Sequence, residues 1–329
     1  MLRSGDRAAR GALAREAAHL ALTPLDIALE PFEARRLRSA GSSMLPLILV
    51  VGSSRAGTTL VYQVLAQYLP VTYFSNLSSL FPRSPLTATR LFQRGPPATG
   101  GRLHNYYGNT AGLAGPNDAF HIWNRWLGND RYRAPDVLPE DVVAGMRRFF
   151  AAWTGTFGRP LLNKNNRNVD CVGLLGRTLP EAVFIVVRRN PVDVAQSLLL
   201  AREVVQGDKR HKWGVRSYDQ ETPSNPLGYV ESVCRQVLEV ERTLQGDLRR
   251  LGAARIIEVR YEEFCADPAR HLESISGAVW GTPVDTSAAR RELRLEPRPP
   301  GERRVTEAEM ERIVRCLGDA PDPFASAAP

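Results

Sequence analysis

The chain has 329 residues, which is enough for one large α/β domain or two ordinary ones. Hydrophobic residues make up 43% and charged residues 24%, a composition that supports a sizeable core and excludes wholesale disorder. The net charge of +8 comes mostly from arginine, whose planar fork of donors suits phosphate and sulfate. A GC-rich genome would produce the same arginine bias, so charge alone does not decide the function.

Residues 1–43 are predicted to form a helical N-terminal extension that ends near Gly41. Charges alternate there with Ala and Leu, so we expect neither a signal peptide nor a membrane anchor. The longest apolar stretch, residues 44–52, is shorter than the ~20 residues that span a bilayer. The cysteines are scattered without a CxxC pair, which argues against a zinc site and a disulfide framework. We therefore expect a cytoplasmic protein with reduced thiols, no metal and no stable membrane insertion.

Short runs rich in Leu, Ile and Val alternate with helix-compatible runs along the rest of the chain. The predicted strands cover residues 46–51, 160–163, 181–187 and 255–260. The predicted helices cover residues 58–69, 139–156, 169–178, 192–203, 227–251, 261–280 and 306–317. This alternation predicts an α/β, P-loop-like fold in three layers, with a central parallel sheet of about five strands flanked by helices. Ligands of such sheets bind at the carboxyl ends of the strands.

Two segments interrupt the alternation inside the domain predicted over residues 44–329. Residues 74–135 are rich in Gly, Pro, Asn and aromatic residues, and residues 207–226 are polar and basic around Trp213. Long irregular segments within a compact domain are usually functional loops or lids. We expect both segments to be insertions that wall or cover a ligand site, although hydrophobic packing of a lid would explain the aromatic residues equally well.

A phosphate-binding loop is predicted directly after the first strand. Gly52 to Thr59 reads Gly-Ser-Ser-Arg-Ala-Gly-Thr-Thr and matches GxxxxGK[ST], except that Thr58 replaces the lysine. Glycines let the turn close, its N–H groups point inward, and the following helix adds its positive end. The lysine that reaches the β- and γ-phosphates is missing, and Arg55 is the only cation of the loop. We therefore expect a phosphate-like ligand rather than a magnesium-dependent triphosphate.

A second candidate phosphate site follows the strand at 181–187. Arg189 lies at the end of this strand, and Ser197 lies two turns into the next predicted helix, for which Pro191 suits the first turn. A guanidinium and a hydroxyl that converge there could hold one dianionic phosphate.

Both motifs resemble those of the sulfotransferase superfamily, whose donor is 3′-phosphoadenosine 5′-phosphosulfate. In that family a PxxGTT loop binds the 5′-phosphosulfate, and a stretch of the form Arg-Asn-Pro-x-Asp-x-Ala-x-Ser binds the 3′-phosphate. Residues 259–268, Val-Arg-Tyr-Glu-Glu-Phe-Cys-Ala-Asp-Pro, resemble a third family segment, and the resemblance covers residues 47–281.

The resemblance implies roles for individual residues of both motifs. The implied donor-binding residues are Ser54, Arg55, Ala56, Gly57, Thr58, Thr59, Arg189 and Ser197. Arg55 would stabilise charge on the bridging oxygen, whereas Arg189 and Ser197 would bind the 3′-phosphate. Ala56 departs from the usual serine and Ser54 from the usual proline.

Two further cations are implied by the same resemblance. Arg303, within residues 298–304, is the candidate for a C-terminal loop that binds the 3′-phosphate, and a solvated basic turn is the alternative. Lys164 follows a strand and would orient the sulfate or the acceptor, and a surface turn capped by asparagines is the alternative.

A general base with a pKa near neutral would remove the proton of the acceptor group, and the family commonly uses His or Glu for this. Asp118 and His121 are three residues apart, so they could share a helix face, and they rank first as the base. His104 ranks next, whereas His19 and His271 are expected to be structural.

The predicted function is in-line transfer of a sulfuryl group from 3′-phosphoadenosine 5′-phosphosulfate to a hydroxyl of a small-molecule, carbohydrate or lipid acceptor, with an amine less favoured. One alternative is a P-loop kinase or NTPase, which magnesium-dependent ATP hydrolysis would support. Another is a non-enzymatic nucleotide- or RNA-binding module. RNP-like and OB-like motifs are absent and aromatic residues do not interleave with basic ones, so we expect no nucleic-acid partner.

Overall fold

The computed structural model describes residues 7–41, 44–93, 103, 105–106, 108–130, 132–218, 222–295, 299 and 301–318. Its strands are β1 Leu47–Val51, β2 Thr72–Tyr73, β3 Asn105–Tyr106, β4 Asn109–Thr110, β5 Leu161–Lys164, β6 Ala182–Arg188 and β7 Ile256–Arg260. Its helices are α1 Arg7–Arg38, α2 Thr58–Tyr68, α3 Pro85–Phe92, α4 Phe120–Leu127, α5 Glu140–Phe157, α6 Val172–Thr178, α7 Pro191–Gln206, α8 Gly228–Leu248, α9 Tyr261–Ala266, α10 Pro268–Trp280, α11 Ser287–Glu292 and α12 Glu307–Leu317.

The central sheet has five strands in the order β2-β5-β1-β6-β7, and every neighbouring pair is parallel. Val50 of β1 pairs with Lys164 of β5 on one side and with Ile185 of β6 on the other. The carboxyl ends of β5, β1 and β6 therefore lie side by side, where a parallel sheet binds its ligands. The predicted parallel sheet flanked by helices is confirmed.

Hydrophobic side chains cover both faces of this sheet. Leu49 of β1 belongs to a core cluster with Phe149 of α5, whereas Val50 belongs to the opposite cluster with Leu65 of α2. All five residues of β1 are buried. A strand that is covered on both faces needs apolar residues at every position. Residues 47–51 therefore do not alternate between apolar and polar residues.

Helix α1 is attached to the domain through a buried carboxylate. Glu33 accepts hydrogen bonds from the Leu86 N–H at 3.2 Å, the Thr87 N–H at 2.8 Å and the Thr87 Oγ1 at 2.7 Å. These donors belong to the first turn of α3, where an anion also meets the positive end of the helix. Burial raises the pKa of Glu33, and the bonds from Thr87 oppose that shift. The predicted helix of the N-terminal segment is confirmed for residues 7–38, and its boundary as a separate extension stays a prediction.

Helix α12 is attached through Glu309. The carboxylate accepts bonds from Lys209 Nζ at 3.0 Å and from Tyr229 Oη at 2.7 Å, and it completes a capping box with Thr306. Burial raises the pKa of Glu309, but the hydrogen bonds outweigh burial and the net pKa lies below its ordinary value. Burial, followed by the hydrogen bond to Glu309, raises the pKa of Tyr229 to about 12.

The predicted irregular segment contains more regular structure than expected. Within residues 74–135 the chain forms α3, the β3–β4 hairpin, α4 and a short 3₁₀ turn at Ser78–Leu80. The helix predicted over 261–280 is interrupted at Asp267, whose side chain caps α10 by accepting the Arg270 N–H at 3.0 Å. Over the described ranges, no helix is long and apolar enough to cross a membrane.

Candidate active site

The phosphate-binding loop lies between β1 and α2 and needs glycine at two positions. A Cβ at Gly52 would lie 2.3 Å from the Val187 carbonyl oxygen, because the loop turns against β6. A Cβ at Gly57 would lie 2.1 Å from the Tyr261 ring, and Gly57 also has a φ of 97°. Between them Arg55 has a φ of 75°, which is uncommon for a residue with a side chain. Residue types and backbone shape together make this turn unlike an ordinary strand–helix connection.

A cavity of about 130 Å³ lies at the carboxyl ends of the strands, in front of this loop. It is lined by Ser54, Arg55, Gly57, Thr58, Thr59, Leu60, Gly108, Lys164, Asn166, Arg189, Trp213 and Tyr261. The cavity thus has residues from all three segments that resemble the sulfotransferase motifs: the loop after β1, Arg189 after β6 and Tyr261 after β7. Most of the implied donor-binding residues line this cavity.

Ala56 is an exception within the loop. Its N–H donates to the Ser53 carbonyl oxygen at 3.0 Å, and its methyl group is buried against Val194 and Leu198 of α7. Neither its side chain nor its N–H is directed into the cavity. Ala56 thus packs the loop on the cluster that contains α7, and the donor contact implied for it stays a prediction.

The two motifs predicted to bind phosphate are joined by a direct hydrogen bond. Arg55 Nε donates to Ser197 Oγ at 3.0 Å, although 142 positions separate the two residues in the chain. Ser197 is buried on α7, which begins at Pro191 with Asn190 as its cap. The loop after β1 and the helix after β6 are therefore in direct contact at the carboxyl edge of the sheet.

The two adjacent arginines at the end of β6 have different environments. Arg188 is buried and pairs with Glu241 and Glu258, at 3.3 Å each, so it holds strands and helices together. Arg189 lies over the Tyr261 ring, with 4.5 Å between its guanidinium carbon and the ring centroid. The Nε atoms of both arginines are buried without a hydrogen-bond partner among the described residues, but of the two only Arg189 lines the cavity. A buried donor of this kind is costly unless a ligand accepts its hydrogen bond, so Arg189 suits an anion.

A buried ion pair forms the opposite side of the cavity. Lys164, the last residue of β5, has only 2% of its side chain exposed, and its Nζ lies 2.9 and 3.1 Å from the two carboxylate oxygens of Asp118. Asn165 Nδ2 donates to the main-chain oxygen of Asp118 at 2.8 Å. Burial raises the pKa of Asp118, and the nearby Lys164 ammonium opposes the shift. Lys164 lines the cavity, whereas Asp118 lies behind it.

His121 does not lie in this cavity. Helix α4 begins at Phe120, and Ala119 before it has a φ of 55°, so Asp118 is outside the helix. The predicted common helix face of Asp118 and His121 is therefore wrong, because the chain turns between them. His121 stacks on His19 of α1, with 4.9 Å between ring centroids, and lines a different cavity. His104 lies outside the described residues.

Arg303 does not reach the cavity either. More than half of its side chain is exposed, and it pairs with Glu307 at 3.6 Å. The turn around it is attached to α7, since Gly301 N–H donates to Asp193 Oδ1 at 3.0 Å and Arg304 N–H donates to Gln196 Oε1 at 2.7 Å. The turn is thus held beside Ser197, while the implied phosphate contact of Arg303 stays a prediction.

Comparison with known proteins places the chain in a family. The profile of the sulfotransferase family matches residues 46–279, which is most of the chain. The chain belongs to the sulfotransferase family. A comparison with curated proteins finds no match.

Two solved mycobacterial enzymes share the fold of this sulfotransferase. The sulfotransferase STF1 from Mycobacterium tuberculosis has a TM-score of 0.58 at 13% identity, over 91% of this chain and 83% of the other. The sulfotransferase STF9 from Mycobacterium avium has a TM-score of 0.50 at 15% identity, over 90% of this chain and 73% of the other. At these identities the similarity shows a common fold and not a common acceptor.

Sequence reasoning missed several residues that line the cavity of this sulfotransferase. Tyr261 directly follows β7, so its place at the carboxyl edge of the sheet could have been inferred from the strand rule. Trp213 belongs to residues 207–226, the segment expected to wall or cover a ligand site, but no motif assigned its side chain to the cavity. It is held in place by Gln236, whose Nε2 donates to the main-chain oxygens of Trp213 at 3.1 Å and Val215 at 2.8 Å. Such long-range contacts leave no local pattern in the sequence.

Proposed function

We propose that this sulfotransferase takes its sulfuryl group from 3′-phosphoadenosine 5′-phosphosulfate and transfers it to a hydroxyl group of a small-molecule, carbohydrate or lipid acceptor. The hydrogen bond between Arg55 and Ser197 carries this proposal. The donor bears one phosphate on each side of a single ribose, so it needs two adjacent anion sites. The joined motifs offer such a pair, and a mononucleotide without the 3′-phosphate would use only half of it.

The 5′ side of the donor would be bound by the phosphate loop. Thr58 and Thr59 line the cavity, and the N-terminus of α2 supplies N–H groups and a partial positive charge. The 3′-phosphate would be bound by Arg189 and Ser197. Arg55, held by Ser197 between both groups, would face the bridging oxygen on which negative charge develops.

The reaction is an in-line displacement at sulfur. The acceptor oxygen forms a bond to sulfur while the bond from sulfur to the 5′-phosphate oxygen breaks, and 3′-phosphoadenosine 5′-phosphate leaves. The hydroxyl proton passes to a general base, for which Asp118 is a nearer candidate than His121, since Asp118 contacts cavity-lining Lys164 whereas His121 lines a different cavity. Lys164 would stabilise the oxygens of the transferring group, because its ammonium is buried and fixed by Asp118.

The test is transfer of label from sulfur-labelled donor to a panel of alcohols, phenols, sugars and amines in the presence of EDTA. We expect a labelled sulfate ester from at least one hydroxyl acceptor. Arg189→Ala should raise the dissociation constant of the donor about 100-fold, since charge-assisted hydrogen bonds contribute about 1.5–3 kcal/mol each. Arg55→Ala should lower kcat more than donor affinity.

Arg242→Ala is the matched control, because Arg242 is exposed and pairs only with Glu239 on its own helix. This variant should keep the affinity and turnover of the unmodified protein. If Arg189→Ala keeps the donor affinity of the control, the 3′-phosphate assignment is wrong.

A further inference from the structure

Helix α1 has an apolar surface that faces solvent. Over residues 20–32, all of which the structure describes, Glu30 is the only charged residue that is exposed. The exposed apolar residues of this stretch are Leu20, Ala21, Pro24, Leu25, Ile27, Ala28, Pro31 and Phe32. Leu20, Ile27 and Phe32 are 73%, 50% and 59% exposed. A helix that covers a domain normally directs polar residues outward, so this outward side of α1 is unusual.

Helix α3 adds two residues to this apolar surface. Leu29 of α1 and Ala88 of α3 belong to one buried cluster, through which the two helices pack. Leu91 and Phe92 follow Ala88 by one turn and therefore lie on the side of α3 that faces α1, yet they are 48% and 46% exposed. The exposed apolar residues of both helices form the α1–α3 surface. Single exposed apolar residues are common, but a patch of this kind marks a contact with another molecule or a membrane.

Arginine side chains border the α1–α3 surface. Arg35 and Arg38 are exposed in the last turn of α1, and Arg90 is exposed on α3. Arg35 follows Ala28 by seven residues, and Arg38 follows Pro31 by the same step, so both arginines continue the outward side of α1. Within the described ranges, none of the three arginines forms an ion pair with a carboxylate. The border of the apolar surface is therefore positively charged and uncompensated.

This combination of charge and apolar area determines which partner fits. Glu30, the one exposed carboxylate of the surface, already pairs with the Arg83 guanidinium at 3.2 Å. Two copies of the chain that cover each other here would bury arginines without partners, which is strongly unfavourable. An anionic lipid bilayer complements both properties, because its acyl chains take up apolar side chains and its phosphate oxygens accept hydrogen bonds from guanidinium groups.

We propose that the α1–α3 surface binds the surface of an anionic lipid bilayer. The apolar residues of α1 contact the acyl chains at their boundary with the headgroups, and Arg35, Arg38 and Arg90 bind lipid phosphates. The helix lies along the bilayer and does not cross it, because its other side is buried in the domain through Leu29 and Glu33. The proposal does not rest on the proposed function, because neither the donor cavity nor the acceptor takes part in this contact.

Co-sedimentation of the full chain with lipid vesicles tests the proposal without an activity assay. One set of vesicles is phosphatidylcholine alone, and the other contains about 30% phosphatidylglycerol, both at about 0.1 M salt. We expect the partition coefficient to be at least about 10-fold higher on the anionic vesicles. If the chain does not bind the anionic vesicles, or binds both sets equally, the proposal is wrong.

The apolar contribution is tested with the double variant Ile27→Gln, Phe32→Gln. It should lower the partition coefficient on anionic vesicles at least about 10-fold, because both side chains would lose their burial in the bilayer. Val314→Gln is the matched control, since Val314 is also 46% exposed but belongs to α12. If the double variant binds as tightly as this control, the attraction comes only from the net charge of the chain and the proposal is overturned.

The charged border is tested with the double variant Arg35→Gln, Arg38→Gln. Each arginine near an anionic bilayer contributes enough that their joint loss should weaken binding to anionic vesicles about 10- to 30-fold. Binding to phosphatidylcholine alone should stay unchanged. The control is Arg242→Gln, which removes an exposed arginine of α8 and should keep the binding of the unmodified protein. An equal loss in the control would contradict the role of the border.

Thermal melts show whether the variants are folded, and we expect them to be, because all substituted side chains are exposed. Sedimentation velocity without lipid then tests the other occupant. We expect the unmodified chain and Ile27→Gln, Phe32→Gln to have the same oligomeric state. If the unmodified chain is a dimer that this double variant dissociates, a second copy covers the α1–α3 surface and the proposal is wrong.

Discussion

The buried ion pair of Lys164 and Asp118 predicts how strongly three variants of these residues lower the free energy of unfolding. We consider Asp118→Asn, Lys164→Met and the double variant. The side chains are 2% and 15% exposed, and Nζ contacts both carboxylate oxygens. Removing one partner leaves an uncompensated buried charge, which costs about 3–5 kcal/mol of stability. In the double variant both charges are gone, so it should cost about 2–3 kcal/mol less than the sum of the single variants.

The assay is urea unfolding followed by circular dichroism, with the slope of each transition compared so that a changed unfolded state is detected. Arg242→Ala again serves as the control and should change stability by at most about 0.5 kcal/mol. If the two single effects add to within about 0.5 kcal/mol of the double variant, Lys164 and Asp118 are not in contact in the folded protein. The positioning of Lys164 at the cavity would then have no support.

Three further predictions concern the loop, the ring beside it and the last helix. Gly57→Ala should abolish most of the nucleotide affinity measured by calorimetry, because the new methyl group would collide with the Tyr261 ring. Gly112→Ala is the control, since Gly112 also has a positive φ but no atom lies near its Cβ position. This control should lose only about 1 kcal/mol of stability and keep the nucleotide affinity. Tyr261→Ala should weaken nucleotide binding about 2- to 30-fold, because the contact between the ring and Arg189 is lost. Tyr261→Phe keeps the ring and should keep the nucleotide affinity. Equal losses of affinity in the two variants would contradict the role of the ring. Because the folded pKa of Glu309 lies below its unfolded value, its stabilisation is present above about pH 4.5 and lost as the pH falls through the folded pKa. Glu309→Gln should thus lower the melting temperature at pH 7 but match the unmodified protein below the folded pKa, and a pH-independent difference would refute the assignment.

The parts of the fold that the sequence predicts are those with a strong local signal. Residues 47–51 and 182–187 are continuous apolar runs, and both are strands within a residue or two of their predicted bounds. Gly52 and Gly57 mark the loop because backbone and ring atoms come too close for any side chain. Strand β2 was missed because two residues show no periodicity, and its pairing with β5 decides its structure.

The candidate site is predictable where a residue follows a strand and is less so elsewhere. Lys164 and Arg189 end or follow strands, and the parallel sheet brings them to one edge. Asp118 and His121 come from a segment without periodicity. The left-handed Ala119 between them separates their side chains, so that Asp118 pairs with Lys164 whereas His121 lines a different cavity.

The central claim is that one ligand occupies two joined phosphate sites, and calorimetry on two nucleotides tests it most directly. The ligands are 3′-phosphoadenosine 5′-phosphate and adenosine 5′-monophosphate, and the proteins are the unmodified chain and Arg189→Ala. We predict that the unmodified protein binds the bisphosphate about 100-fold more tightly and that this ratio falls to a few-fold in Arg189→Ala. Equal affinity of the unmodified protein for both nucleotides would contradict the account.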